Sequence, residues 1–279
     1  GHFRPLVILG AYNVLTNVYL SLPLTFLGFL SGHMEVGYYY AANRIVQVAI
    51  TVMAGMNLVL VPSANLAHSE GDLTSLGKIV SGAQGSVVTF ALPVAAFLIA
   101  NSKELITVLA GEGYHASIEL LVILAPAILF VAYAQVFVSL IISVWRKDGV
   151  LLTVSGLGMA LSVSVNLFFI PRYGAVAAAY SYLASEILVT LVIFFISARL
   201  LRLKLFDHYL LANLAVSLGF FCLHWAAAKL LYTEGLRLVV LIFSTGLFYV
   251  LMQVYVLRSP FMAPAGRVME RITKLNLIK

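Results

Sequence analysis

The sequence predicts an all-α polytopic membrane protein with about eight transmembrane helices. Three observations carry that prediction. Of 279 residues, 62% are hydrophobic and only 10% charged, and the mean hydropathy is +1.03; soluble domains carry roughly 25% charged residues. Apolar runs long enough to cross a hydrocarbon core, about 20 residues each, follow one another along the chain. The polar breaks between them are short, so no soluble catalytic domain fits outside the bilayer.

The first run covers 6–30 and ends at Ser31-Gly32-His33-Met34-Glu35. The second covers 36–67 and ends at Ser69-Glu70-Gly71-Asp72, and the third covers 79–100. After the longest gap, 101–116, a fourth run covers 117–145 and stops at Arg146-Lys147. The fifth and sixth, 149–170 and 175–200, are separated by little more than Arg172-Tyr173-Gly174. The seventh and eighth cover 209–231 and 238–257. Connections this short place consecutive helices antiparallel. Pro23, Pro93 and Pro126 fall inside runs, where a missing N–H and a ring clash loosen the local helix. Beyond Pro260, Met262, Val268, Met269, Ile272 and Leu275 mix with Arg267, Arg271 and Lys274. The segment 258–279 therefore reads either as a basic amphipathic helix in the membrane interface or as a frayed tail.

The formal net charge is +6. Twelve of the 17 Lys and Arg residues fall on the side that holds both ends of the segment, four fall on the other side, and Arg44 lies within a span. Basic residues mark the cytoplasmic side of membrane spans, so the basicity sets topology, and both ends of the segment are expected in the cytoplasm. Nucleic-acid binding would need basic residues gathered on a soluble surface, and nucleic acid is not expected as a partner. The lone Cys222 excludes an intrachain disulfide or a cysteine-based metal site. The chain opens Gly1-His2-Phe3-Arg4 without an initiator methionine, and its first apolar run is too long for a signal-peptide core, so it reads as an excerpt of a longer protein.

Ionisable groups inside spans cost about 2.5–3.5 kcal/mol at a helix centre on insertion scales, so each is a functional candidate. Arg44 lies about 12 Å into the second span at 1.5 Å per residue. Its guanidinium either snorkels to the interface or faces a water-filled cavity. Asn43 and Gln47 lie beside it and make a donor-rich patch. Asn13 and Asn17 form an i, i+4 pair in the first span; Gln135, Ser139 and Ser143 stripe the fourth, and Ser162 with Asn166 the fifth. Each stripe serves either helix-to-helix hydrogen bonding or a polar interior. Glu186 lies about 16 Å into the sixth span, near the bilayer midplane, with Tyr182 and Thr190 one turn away. It is either a group that couples transport to H⁺ or Na⁺, or a protonated carboxyl bonded to a neighbouring helix.

No catalytic pattern accompanies these groups. His2, His33, His68, His115, His208 and His224 are scattered, and H-E-x-x-H, Walker A and G-x-S-x-G are missing. Neither an enzyme nor a metal or organic cofactor is expected.

Val36-Gly37-Tyr38-Tyr39-Tyr40-Ala41-Ala42-Asn43-Arg44-Ile45 resembles the opening of the eighth span, V-G-x-Y-x-x-A-x-R-I, in the Wzx-like polysaccharide and oligosaccharide flippases of the multidrug and polysaccharide-lipid exporter (MATE-like) superfamily. Pro62 with Glu70-Gly71-Asp72 resembles that family's proline-ended span and short cytoplasmic loop, and 111–114 its outer G-x-x-Y turn. Asn166 with Ile170-Pro171-Arg172-Tyr173-Gly174-Ala175 resembles its N-x-x-x-I-P-x-Y-G-A junction, with Ala177 where a second glycine is usual. The resemblance implies a six-helix C-terminal lobe over 1–201, two additional helices over 202–257 and the cytoplasmic tail 258–279, with an N-terminal lobe missing. It also implies a bacterial inner-membrane protein that moves undecaprenyl-diphosphate-linked sugar units between leaflets by alternating access, for O-antigen, capsule or exopolysaccharide assembly. Its partners would then be the lipid-linked substrate, the missing lobe, membrane lipids and the polysaccharide polymerase machinery. Arg44 would supply charge for the diphosphate, and Asn43, Gln47, Gln135 and Asn166 hydrogen bonds for the sugars. Three rival readings are a cation-coupled multidrug exporter of the same superfamily, a membrane polymerase or ligase, and a non-transporting receptor or scaffold. A polymerase or ligase would need a long catalytic loop, and the outer loops are short.

Overall fold

The computed structural model describes residues 3–201, 209–231 and 233–257. The basic tail 258–279 lies outside the described residues, as do the side chains of Asn13 and Asn17. Ten α-helices are described: α1 (Phe3–Leu30), α2 (His33–Leu58), α3 (Val61–Ser69), α4 (Leu73–Ala100), α5 (Ser102–Leu109), α6 (Ala116–Leu124), α7 (Ala127–Phe137), α8 (Asp148–Leu201), α9 (Tyr209–Leu230) and α10 (Glu234–Leu251). Short π turns extend α7 and α10, at Val138–Ile142 and Met252–Val256. Among the described residues there is no strand. Five helical stretches there are long and apolar enough to cross a membrane: Leu73–Ala100, Ala116–Ile142, Gly149–Leu201, Leu210–Leu230 and Glu234–Tyr255. The chain is a multi-pass membrane protein. Its outer surface carries side chains that water would penalise, such as Phe29, Phe168, Leu211, Phe243 and Leu247.

The helices fall on the expected apolar runs with three departures, each with a local cause. The run 36–67 is two helices, because the chain steps out of α2 at Val59 and Leu60 and restarts with Pro62 in the first turn of α3. Proline is tolerated there, where a helix needs no N–H donor. The run 117–145 divides at Ala125 and Pro126 into α6 and α7, again where an N–H is missing. The gap 101–116 is largely helical, since it holds α5 and a 3-10 turn, Glu112–Tyr114.

The fifth and sixth spans are the two arms of α8, which is broken inside at Gly174 with φ 53° and ψ −134°. The chain reverses there. Ser181 donates to the carbonyl of Ser162 at 3.3 Å, a contact that 19 residues of straight helix, about 28 Å, would forbid. Only glycine suits the turn: a Cβ on Gly174 would lie 2.5 Å from Glu35 Oε2. That carboxylate accepts the N–H of Ala175 at 2.7 Å, and Ser31 donates to the carbonyl of Ile170 at 3.1 Å. The 31–35 turn is thereby fixed against the α8 turn by backbone groups that the reversal exposes. At the opposite end, Asp72 caps α4 by accepting from the N–H of Ser75 at 2.9 Å. These hydrogen bonds hold its carboxyl below the usual range.

Two polar devices dock α9 and α10 onto the remaining helices. The first is a seam within the apolar spans. Tyr249 donates to the backbone carbonyl of Thr89, and Gln253 donates to Tyr249 at 2.9 Å and to Asn213, joining α4, α9 and the end of α10. All four residues are buried. The second device closes the end of the bundle. Glu104 of α5 is only 1% exposed and accepts from Arg237 Nη1 at 2.9 Å. Arg237 also donates from Nη2 and Nε to the carbonyl of Leu231, at 2.7 and 3.2 Å, and so satisfies the open end of α9. His224 lies beside the pair, with Nδ1 3.1 Å from Asn101 Oδ1 and 3.9 Å from Glu104 Oε2. Lys103 and Glu234 form an outer ion pair at 3.0 Å.

Removing one member of a buried ion pair strands the other charge, at a cost of about 3–5 kcal/mol. Arg237→Met alone is therefore expected to lower the thermal midpoint of the detergent-solubilised protein sharply. The double variant Glu104→Leu, Arg237→Met should recover most of that loss, which a thermal melt of the three proteins checks.

Candidate functional site

The intramembrane polar residues resolve into two hollows on opposite sides of α2. The first is a cavity of about 290 Å³ between α1, α2, α7 with its π turn, and α8. Its polar lining is Thr16, Gln47, Gln135, Ser139, Ser155, Tyr182 and Glu186. Helical spacing explains the set: Gln135 and Ser139 lie four apart on one stripe, as do Tyr182 and Glu186. Gln47 donates to the Tyr182 hydroxyl at 3.2 Å and to Asn43 at 3.5 Å, linking α2 to the sixth span. Glu186 and Tyr182 are almost fully buried, and Glu186 lies within electrostatic range of both Tyr182 and Tyr39. Two lining atoms, Gln135 Oε1 and Thr16 Oγ1, are buried without a hydrogen-bond partner. Unpaired polar atoms of this kind are uncommon in native interiors.

The second hollow is a wider groove of about 600 Å³ on the other face of α2. Arg44 lines it with Gly37, Tyr40, Val48, Leu98 and Tyr114. The Arg44 side chain is exposed. The Tyr114 ring stacks edge-on against Tyr38 at 5.9 Å, and its edge lies 3.8 Å from where a Cβ on Gly37 would be. The groove is thus an apolar trough with one guanidinium at its rim.

The structure brings together Gln47, Gln135 and Glu186, with Asn43 behind Gln47. It does not bring Arg44 into that cavity, although Arg44 is three residues from Gln47. Asn166 is also elsewhere: it is fully buried and donates to Ser162 at 3.1 Å, in the contact between the two arms of α8. Thr190 donates to the carbonyl of Phe130 at 2.9 Å and ties the sixth span to α7. Ser143 is exposed at the end of its stripe. Thr16 and Ser155 join the cavity without having been singled out from the sequence. A threonine and a serine in apolar runs carry no distinguishing signal, and only the packing of α1 and α8 around the cavity reveals them. Among the described residues no cluster of three or more His, Cys, Asp or Glu side chains could hold a metal.

Residues 1–119 match a family model described as polysaccharide biosynthesis protein. That match holds α1 to α5 and the start of α6, including Arg44 and Gln47. Among curated proteins none matches the chain by sequence. The fold is similar to that of the lipid II flippase MurJ in an inward closed conformation, with a TM-score of 0.68 at 12% sequence identity. The likeness covers 87% of this chain and 52% of that one, so the chain spans about half the length of the solved flippase. The family match agrees with the resemblance drawn from the 36–45 motif over the part of the chain that it covers, and the likeness to the solved flippase shows the fold.

Burial separates the two hollows in a way that can be measured. Tyr182→Phe removes the acceptor for Gln47 in a buried setting and should cost about 1 kcal/mol of stability. Arg44→Ala touches an exposed side chain and should stay within about 0.5 kcal/mol of the parent. Thermal melts in one detergent compare them directly.

Proposed function

We propose that this chain is one lobe of a transporter that flips lipid-linked oligosaccharides across a bacterial inner membrane. The carrying observation is a cavity with seven polar side chains in its lining and a groove that Arg44 lines, on opposite faces of α2, on a fold shared with a lipid II flippase. The family match to polysaccharide biosynthesis adds support from sequence. A diphosphate-linked sugar cannot cross hydrocarbon unaided, since desolvating the anion and the hydroxyls is prohibitive. Arg44 on its groove would balance diphosphate charge, and Gln47, Gln135 and Asn43 would hydrogen-bond sugar hydroxyls. Asn13 and Asn17 of the first span would extend the polar set on this path, whereas Asn166, expected there from the sequence, bonds to Ser162 away from both hollows. O-antigen, capsule or exopolysaccharide units, handed on to polymerase machinery, are the substrates this reading favours.

In this reading the end with the Asp72 turn and the Arg146 turn faces the cytoplasm. The excess of Lys and Arg on that side supports the orientation. Glu186 would couple transport to H⁺ or Na⁺, because a carboxyl buried beside Tyr182 changes its energy steeply with charge state. Transport by alternating access needs no enzymatic step and no bound cofactor.

The multidrug-exporter reading of the same superfamily would place an organic cation against Glu186 and leave Arg44 without a role. Complementation separates the two. In a strain lacking its polysaccharide flippase, the full-length protein should restore surface polysaccharide. Arg44→Ala should abolish rescue at unchanged membrane levels, and Glu186→Gln should weaken its dependence on the ion gradient. Rescue by Arg44→Ala at parental levels, or efflux of toxic cations without rescue, would contradict the proposal.

A further inference from the structure

A cleft that the transport path does not use opens at the end of the bundle where α3 and the π turn after α7 finish. It measures about 600 Å³, and Asn65, His68, Ser69, Trp145 and Arg146 line it. The His68 ring lies 4.5 Å from the Trp145 ring, tilted by 49°. His68 Nδ1 is buried without a hydrogen-bond partner.

Arg146 adds a second, independent observation. Among the described residues it alone, apart from glycines, has a positive φ, of 52°. The site is a helix end: Arg146 donates its N–H to Ser143 and Lys147 to Ile142, both at 3.0 Å. Glycine is the usual residue at such a left-handed end, because it carries no Cβ. An arginine held there against backbone preference points to a use for its side chain.

The lining chemistry names the ligand class. A guanidinium fork matches phosphate oxygens with paired, charge-assisted hydrogen bonds. The Asn65 amide is a further donor, and a phosphate oxygen would give an N–H at His68 Nδ1 the acceptor it lacks. Glu70 and Asp72, exposed in the neighbouring turn, do not line the cleft, and the Asp72 carboxylate is turned to Ser75. The location at the ends of the spans is where lipid headgroups lie, and tryptophan is enriched at that level. We propose that this cleft binds a phosphate group presented at the membrane surface. The source is either a phospholipid headgroup or soluble phosphate, and the inference does not depend on the flippase reading.

The test uses the full chain in a phosphate-free non-ionic detergent, with Trp225→Phe so that Trp145 is the remaining tryptophan of the two. Its fluorescence is followed against inorganic phosphate and against dihexanoyl phosphatidylglycerol, with potassium chloride and dihexanoylglycerol as controls. The expected result is a saturable change with a phosphate compound and none with either control. Response to phosphatidylglycerol alone assigns a lipid headgroup, and response to both extends the site to soluble phosphate. Arg146→Gly, which suits the backbone and should melt no lower than the parent, is expected to raise the half-saturating concentration about tenfold or more. Arg146→Lys keeps the charge but loses the fork, and should weaken binding by less than Arg146→Gly. No response to either phosphate compound, or an unchanged half-saturation in Arg146→Gly, would overturn the proposal.

Discussion

Hydrocarbon offers no hydrogen bonds, so every polar group carried into the bilayer must find its partner inside the protein. The architecture follows from that constraint. Among the described residues the backbone is helical almost throughout, and each interruption is repaired close by. The reversal at Gly174 frees the N–H of Ala175, which donates to Glu35, and the carbonyl of Ile170, which accepts from Ser31. The open end of α9 presents the carbonyl of Leu231 to the Arg237 guanidinium. Proline enters at Pro62 and Pro126, where a helix is starting and its N–H would have had no acceptor.

The same rule sorts the side chains. Along the seam of Thr89, Asn213, Tyr249 and Gln253 the polar groups bond to one another and hold α9 and α10 to α4. Around the cavity Gln47 and Tyr182 are joined, and Gln135 and Thr16 line the same space. Both sets keep buried oxygens without a partner, Thr89 Oγ1 and Gln253 Oε1 in the seam and Gln135 Oε1 and Thr16 Oγ1 beside the cavity. Residue type does not distinguish them, since both contain an amide and a tyrosine; what marks the second set is the cavity that it lines.

Much of the fold was legible in the sequence, because span length and apolar runs are read directly from composition. The positions of the turns at 31–35, 69–72 and 172–174 were legible too, through their glycines and charges. The break of 36–67 was harder, because one proline inside an apolar run marks either a bend or a new start. Arg44 and Gln47 show where helical spacing stops helping. They lie on neighbouring stripes of α2, and the line between two hollows falls between those stripes, a matter of which helices pack on either side. Glu104 was illegible for another reason: it sits in a segment that reads as a loop, and its partner Arg237 is 133 residues away. Asn166 has the composition of a path residue, and its donor instead serves Ser162 one turn back on the same helix.

Under the proposed flippase reading, a lipid-linked oligosaccharide enters the hydrated cavity of Gln47, Gln135 and Glu186. Labelling Gln135→Cys with a membrane-impermeant maleimide, in a Cys222→Ser background, tests it most directly. The account predicts labelling of the inserted protein and its slowing by a lipid-linked oligosaccharide. Labelling only by a lipid-soluble maleimide, with no protection by the substrate, would contradict it.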